Sequence, residues 1–429
     1  MEGSSIDSPS PESLRTQSQR GEVAPAATEG CHAFGTQTPG TLGYRLFSDG
    51  RDAFVRILQR IALAKTRIEV RAFVWRDDDT GRSVAAALLA AAERGVDVVI
   101  QKDRVAASYE YHGGTRQSLF HKRIGLFQRL EAWFLDRAYA GGGPLAQQVC
   151  SEADALRENP RVSIEHADKR FDHAKVWVFD DDALILGGMG IGDDHHHEWV
   201  DFMVEVEGTS AVTRLRERLA GHAKFDPKRT YDFLLHNRAT QGTRHCPMLD
   251  ARIKLIDSAA HSIHIAMAYL GDPRFTRALL LALLRGVDVT LVTSARADIM
   301  GNINRSTCNI LVRRARGPGK LTVRLHPRMV HAKAIVIDGA VCDVGSANFT
   351  RLSHGVYDEL NIYVNDAGFA SQLSEALEAR ANEGRSLSGK MSTQRTVLLV
   401  EKAVVAYMSR RARRFRKNLP PPTPNVPNA

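Results

Sequence analysis

Apolar residues along this chain switch between two spacings, and the switches mark its elements. Phe54, Leu58 and Ile61 keep helical spacing behind Ser48 or Asp49 as a cap. Ile68-Glu-Val-Arg-Ala-Phe-Val-Trp75 then reads as a strand, and Asp77-Asp-Asp-Thr-Gly81 as a turn. A second helix over about 83–94 leads through Arg94-Gly-Val-Asp-Val98 into a further strand. Strand, helix and strand in succession imply a βαβ unit with parallel pairing.

The same order returns. Ala64…Ile68-x-Val70 matches Ala259…Ile263-x-Ile265, and Arg94-Gly-Val-Asp-Val98 recurs as Arg285-Gly-Val-Asp-Val289. The third matched block is His173-Ala-Lys175-Val-Trp-Val-Phe-Asp180 with His331-Ala-Lys333-Ala-Ile-Val-Ile-Asp338. Three blocks in one order make the chain a duplication, with lobes over 43–235 and 236–385. The expected fold class is α/β: two lobes, each a mostly parallel mixed sheet flanked by helices, with the site where they meet. From the Gly-Val-Asp block to the His is 78 residues in the first lobe (95 to 173) and 45 in the second (286 to 331). The first lobe therefore carries an insertion around 104–160, where Phe120, Ile124, Phe127, Leu130 and Phe134 keep helical spacing beside Trp133. That pattern fits a helix packed on the lobe or an apolar lid over the site.

Within each His–Lys block, strand alternation sends both side chains to one sheet face. An imidazole beside an ammonium is poor core material, and two such pairs in one chain imply that they meet. The blocks run on to Gly187-Gly188-Met-Gly190 and Gly345-Ser346-Ala-Asn348. An acid follows each His at one interval, 201 − 173 = 28 and 359 − 331 = 28. A carboxylate that accepts from one ring nitrogen fixes the tautomer and frees the other nitrogen to attack. Each His is thereby given its own acid, Asp201 or Glu359.

Composition is that of an ordinary globular protein, 43% hydrophobic and 25% charged. The net charge of +9 is uneven: residues 386–429 hold nine Lys/Arg against Glu401, a net of +8, which leaves 9 − 8 = +1 for the rest. A nearly neutral body disfavours nucleic acid as partner. In the basic tail, Val397–Val400 and Ala403–Tyr407 precede Arg410–Lys417, so 395–417 fits an anionic membrane surface. Residues 1–42, rich in Ser, Pro, Thr and Gly, read as a disordered polar tail. No apolar run reaches the ~18 residues of a spanning helix, and no secretory signal is visible. Cys31, Cys150, Cys246, Cys308 and Cys342 are odd in number and scattered, as free thiols are in a reducing compartment. Together these point to a cytoplasmic protein, peripheral on the inner face of the membrane.

The two blocks resemble the phospholipase D superfamily, whose signature is His-x-Lys-x4-Asp followed by Gly-Ser-x-Asn, usually present twice. The second copy matches throughout; the first has Gly188 for Ser and Gly190 for Asn. Gly187-Gly188-Met-x-Ile-Gly192-Asp-Asp, with Trp199 and Asp201 following, is most like the bacterial cardiolipin synthase branch. The resemblance implies transfer or hydrolysis of a phosphatidyl group of a glycerophospholipid through a phosphohistidine, with no cofactor and no metal. Alternatives are a phospholipase D hydrolase that releases phosphatidic acid, and a nuclease of the same superfamily. The family pattern makes His173 the nucleophile and His331 the acid; the residues alone leave that order open. Lys175 and Lys333 supply positive charge to the phosphate, and Ser346 and Asn348 neutral donors. Backbone N–H groups at Gly188 are expected to replace the missing donors. Asp180 and Asp338 are expected to hold the loop after the strand. His195-His-His-Glu198 reads as an exposed loop rather than a metal site, since consecutive side chains seldom converge on one ion. Asp77–Asp79 lacks the spacing of a calcium loop.

Overall fold

The computed structural model describes residues 43–112, 118–120, 125–126, 128–130, 132–133, 151–167, 171–237 and 246–416. The polar stretch 1–42 and the insertion positions Ile124, Phe127 and Phe134 lie outside the described residues.

The first lobe contains β1 (Gly43–Phe47), α1 (Gly50–Leu63), β2 (Arg67–Ala72), α2 (Asp79–Glu93), β3 (Asp97–Asp103), α3 (Ala107–His112), α4 (Ser151–Glu158), β4 (Val162–Ala167), β5 (Val176–Phe179), β6 (Ala183–Gly187), β7 (Met203–Glu207) and α5 (Thr209–Ala220). Asp49 caps α1 by accepting from Arg51 N–H, and Ala53, Phe54, Ile57 and Ile61 form its buried stripe. Asp78 caps α2 by accepting from Gly81 N–H, so the aspartate run is a helix start. The sheet order is β1-β7-β6-β5-β2-β3-β4.

The second lobe repeats this with β8 (Tyr231–His236), α6 (Pro247–Ser258), β9 (Ser262–Met267), α7 (Pro273–Arg285), β10 (Asp288–Ser294), α8 (Gly301–Arg314), β11 (Leu321–His326), β12 (Lys333–Ile337), β13 (Val341–Gly345), β14 (Glu359–Asn365), α9 (Ala367–Glu383), β15 (Arg385–Ser386) and α10 (Arg395–Arg416). Its order is β15-β11-β10-β9-β12-β13-β14-β8. β8 pairs antiparallel with β14, as β1 does with β7. A lobe boundary at 235 therefore cuts through the second sheet's edge strand; the break between sheets falls before Tyr231.

Both sheets are mixed. Parallel pairing is confined to β2-β3-β4 and β9-β10-β11, where helices make the crossovers. The His–Lys strands instead join antiparallel neighbours, β5 to β2 and β6, and β12 to β9 and β13. A tight turn suffices there, and Asp180 (φ 47°) and Asp338 (φ 51°) begin those turns in the left-handed region. The inner faces of the two sheets share one core, in which Val176, Leu186 and Phe202 join Ala334, Val344 and Ile362. Outer faces carry separate helical cores, Phe54, Leu88 and Trp177 in the first lobe, Phe275, Leu279 and Ile335 in the second. Phe120 packs edge-on against Trp75 in the first of these, whereas Leu130 and Trp133 are more than half exposed. Cys246, Cys308 and Cys342 are free and buried.

Candidate active site

The chemistry collects at one end of both sheets. β5 starts at Val176 and β12 at Lys333, so His173, Lys175 and His331 lie at or just before the strands they were expected to occupy. Those lead-in segments are stitched across the lobes. His173 N–H donates to Asp358 O (2.8 Å) and Asp358 N–H to Phe171 O (2.6 Å). His331 N–H donates to Val200 O (2.8 Å) and Val200 N–H to Met329 O (2.8 Å). Each histidine backbone thus runs beside the segment that delivers the other lobe's acid.

The side chains follow. His173 Nδ1 lies 3.0 Å from Glu359 Oε2, and His331 Nδ1 lies 2.7 Å from Asp201 Oδ2. The expectation that each His uses the acid 28 residues downstream is overturned: the acids are exchanged between lobes. All four groups are buried, and both histidines line one cavity. His173 is stacked on Tyr357 (5.2 Å between centroids) and edge-on to Phe73 (4.8 Å), which fixes its ring.

Lysines complete the centre. Lys175 Nζ donates to His173 O (2.6 Å) and sits 5.3 Å from the Phe73 centroid. Lys333 Nζ lies 2.7 Å from His331 Nδ1 and also meets the His331 carbonyl. Burial, with Lys333 as a like-charged neighbour, lowers Lys175 to about 7; burial lowers Lys333 to about 8. Burial pushes His173 down to about 4 against the pull of Glu359, and His331 well below its ordinary value. Burial thus favours the neutral form of both imidazoles.

The glycine turns behave differently from expectation. Ser346 Oγ donates to Glu359 Oε2 (2.5 Å) and stands behind the acid, outside the cavity lining. Gly188 N–H is taken by Phe202 O (3.1 Å), so it is not a phosphate donor. Its role is spatial: a Cβ there would lie 2.2 Å from Asp201 Oδ1. Asn348 does line the cavity, its Oδ1 accepting from Tyr269 N–H (3.3 Å). Asp180 accepts from the N–H groups of Lys65, Thr66 and Arg67, and Asp338 from those of Ala260, His261 and Ser262. Both lock the turn that enters the first parallel strand, as expected of loop-holding residues.

Two contributors were missed in the sequence. Asp194–Glu198 forms a π-helical turn, pinned by the Arg76–Asp194 ion pair (2.9 Å) and by Thr80 donating to Asp193. His196 is half-buried and His197 exposed, but His195 is buried at 2% exposure and enters the cavity, 4.8 Å from His331 and 4.5 Å from Trp199 between centroids. The exposed-loop reading therefore fails for His195, because its neighbour Gly190 has no side chain to occupy that space. Among the described residues, His195, Asp201 and His331 offer three atoms within 4.8 Å of one another that could hold a metal ion. Two of the three are already paired with each other, and Lys333 stands beside them as a resident cation.

The second is α10. Far from trailing, it walls the cavity with Glu401, Val404, Val405 and Met408. Glu401 accepts from Asn302 N–H (3.2 Å) and Ile303 N–H (2.8 Å) at the start of α8, where unpaired donors and the helix dipole favour a carboxylate. Among the described residues, no helix is long and apolar enough to cross a membrane.

Duplicated α/β lobes that present two carboxylate-steadied histidines to one cavity, each with a lysine beside it, have the arrangement of the phospholipase D superfamily. The family model described as "Cardiolipin synthase, PLD-like domain" matches residues 57–222 and 253–380, and the chain belongs to that family. Cardiolipin synthase A of Pseudomonas entomophila (strain L48) is 24% identical over 375 residues, 81% of this chain and 70% of that protein. Cardiolipin synthase A of Pseudomonas syringae pv. syringae (strain B728a) is 26% identical over 365 residues, 80% and 69% of the two. Among solved structures, phosphatidylserine synthase of Haemophilus influenzae Rd KW20 shares the fold, with a TM-score of 0.60 at 13% identity over 86% of this chain and 94% of that one.

Proposed function

We propose that this protein transfers the phosphatidyl group of a glycerophospholipid such as phosphatidylglycerol to an alcohol, through a phosphohistidine. His173 Nε2 attacks phosphorus while Glu359, steadied by Ser346, holds its Nδ1–H. The bond from phosphorus to the departing alkoxide breaks, and His331 Nε2–H gives that oxygen its proton. The phosphate anion between Lys175 and Lys333 offsets the cost of a charged His331 before this step. An acceptor hydroxyl then loses its proton to His331 and attacks phosphorus, and the N–P bond breaks. With an alcohol the product is a new phospholipid, cardiolipin where the acceptor is phosphatidylglycerol; with water it is phosphatidic acid.

The observation that carries this reading is the company the two histidines keep. The same cavity is lined by Phe73, Leu352, Val404, Val405 and Met408, an apolar wall suited to a lipid and not to a polyanion. The outer side of α10 exposes Leu399, Val400 and Tyr407 beside Arg395, Lys402 and Arg410, which supports docking on an anionic bilayer from the inner face.

The test is incubation with labelled phosphatidylglycerol vesicles, with and without added ethanol, and with double-stranded DNA in parallel. Cardiolipin or phosphatidylethanol is expected. Phosphatidic acid alone, whatever the alcohol, would make the protein a hydrolase, and DNA cleavage alone a nuclease. Sedimentation with vesicles should require anionic lipid and weaken with salt; equal binding to neutral vesicles would remove the membrane role of α10.

A further inference from the structure

The first lobe lacks the side chain that Asn348 contributes in the second, because Gly190 stands at the matching position. That space is filled. A Cβ on Gly190 would lie 2.7 Å from His195 Nε2 and 3.0 Å from its Cδ2, so a side chain there and the His195 ring exclude each other. His195 is buried, lines the cavity with both catalytic histidines, and among the described residues its Nδ1 has no hydrogen-bond partner. With Nδ1 shut in, the ring meets a ligand through Nε2, the atom nearest the Gly190 position.

We propose that His195 is a substrate-binding residue of the first half-site, giving the transferring phosphoryl group the neutral N–H donor that Asn348 gives from the second lobe. The proposal rests on the phosphodiester-exchange reading of the site, and says which group recognises the phosphoryl oxygens. Burial above all, with Arg76 and the two lysines adding to it against Asp194, lowers His195 to about 3, which favours the neutral ring with its one N–H. It therefore adds a donor without adding a further cation to a cavity lined by Lys175, with Lys333 close behind His331. The π-helical turn is what brings the ring inward, and its pins to Arg76 and Thr80 keep it there. Glycine at 190 and histidine at 195 form one unit, with the ring substituting from a separate turn for a side chain the motif lacks.

The test is a reciprocal exchange: His195→Ala, Gly190→Asn, and the double variant, each checked for folding by its melting curve. After dialysis against EDTA and then into chelator-free buffer, orthovanadate, which mimics the five-coordinate phosphorus, is titrated with tryptophan fluorescence as the readout, since Trp199 lies against the site. EDTA removes any cation held by His195, Asp201 and His331. Affinity for vanadate should fall about tenfold in His195→Ala. Gly190→Asn alone should lose binding through collision with the ring, and the double variant should regain most of it. Wild-type vanadate affinity in a folded His195→Ala protein would overturn the proposal, as would a double variant no better than His195→Ala. Vanadate binding is independent of which phosphodiester is processed, so failure of the lipid assay would sink the proposed function without deciding this one.

Discussion

The half-site around His173 and the half-site around His331 grow from the same motif, yet they hold charge differently. Glu359 accepts from His173 and from the Ser346 hydroxyl, and with Lys175 nearby these outweigh burial and keep it below its ordinary range. Asp201 is one methylene shorter, faces Gly188 instead of a hydroxyl, and accepts from Phe202 N–H; burial raises it to about 7 despite Lys333 and Lys175. An ionised acid behind His173 favours nucleophilic attack there. An acid near neutrality behind His331 suits a group whose proton must come and go. The lesson is that residues around the motif, not the shared His and Lys, make the two half-sites differ, and the proposed roles follow that difference.

Removing a histidine tests this division most severely. His173→Ala and His331→Ala should each lower kcat by about 10⁴-fold or more. They should differ in a brief reaction with labelled lipid: His331→Ala accumulates labelled protein slowly and His173→Ala not at all. Label on the His173→Ala protein would reverse the roles. Glu359→Gln comes next, at about 10³–10⁴-fold in kcat, by analogy with loss of the triad carboxylate. Asp201→Asn should cost less, because Asp201 is partly protonated near pH 7 already. Equal losses would mean that the acids are equivalent and that the comparison fails.

The pH profile gives a finer reading. Lys175 and Lys333 have lowered values, so each is charged below its value and loses that charge as pH rises through about 7 and about 8. Asp201, raised to about 7, loses its charge, and its hold on His331 Nδ1–H, as pH falls through that value. The profile of kcat/KM should therefore be bell-shaped with its top between about 7 and 8. Lys175→Arg, a cation that stays charged, should push the alkaline limb upward. Ser346→Gly, which makes the second turn resemble the first, should cost about tenfold in kcat as Glu359 loses a donor, and should leave the acid limb where Asp201 sets it. Unchanged kcat would deny Ser346 its part in holding Glu359.

Much of this was legible in the sequence because repetition is visible without coordinates. The βαβ blocks and the cap at Asp49 sit where spacing placed them, the His–Lys pairs lie at or just before their expected strands, and Asp180 and Asp338 hold the turns beyond. Partner choice was not legible: an interval of 28 is the same in both copies, and only the backbone stitches at Asp358 and Val200 decide whose acid lies alongside. His195 was hidden by its polar neighbours, and its signal was a glycine at the Asn position with a ring-bearing residue shortly after. α10 was masked by its arginines, although Glu401, Val404, Val405 and Met408 recur at helical spacing and name the face that turns inward.

That helix allows the mildest test, because it touches both half-sites. Met408 joins Phe73 and Tyr357, which clamp His173, while Val405 joins Tyr269 and Trp199 beside His331. Glu401→Gln should weaken its anchor on α8 by about 1–2 kcal/mol, since a neutral amide accepts less strongly from the two N–H groups and gains less from the dipole. A fall of a few degrees in Tm is expected. On a short-chain, water-soluble phospholipid, kcat should stay within about twofold, because the inter-lobe bridges hold the histidines without help from α10. A loss as large as that of Ser346→Gly would mean instead that the C-terminal helix, and not the exchanged acids, keeps the two halves in register.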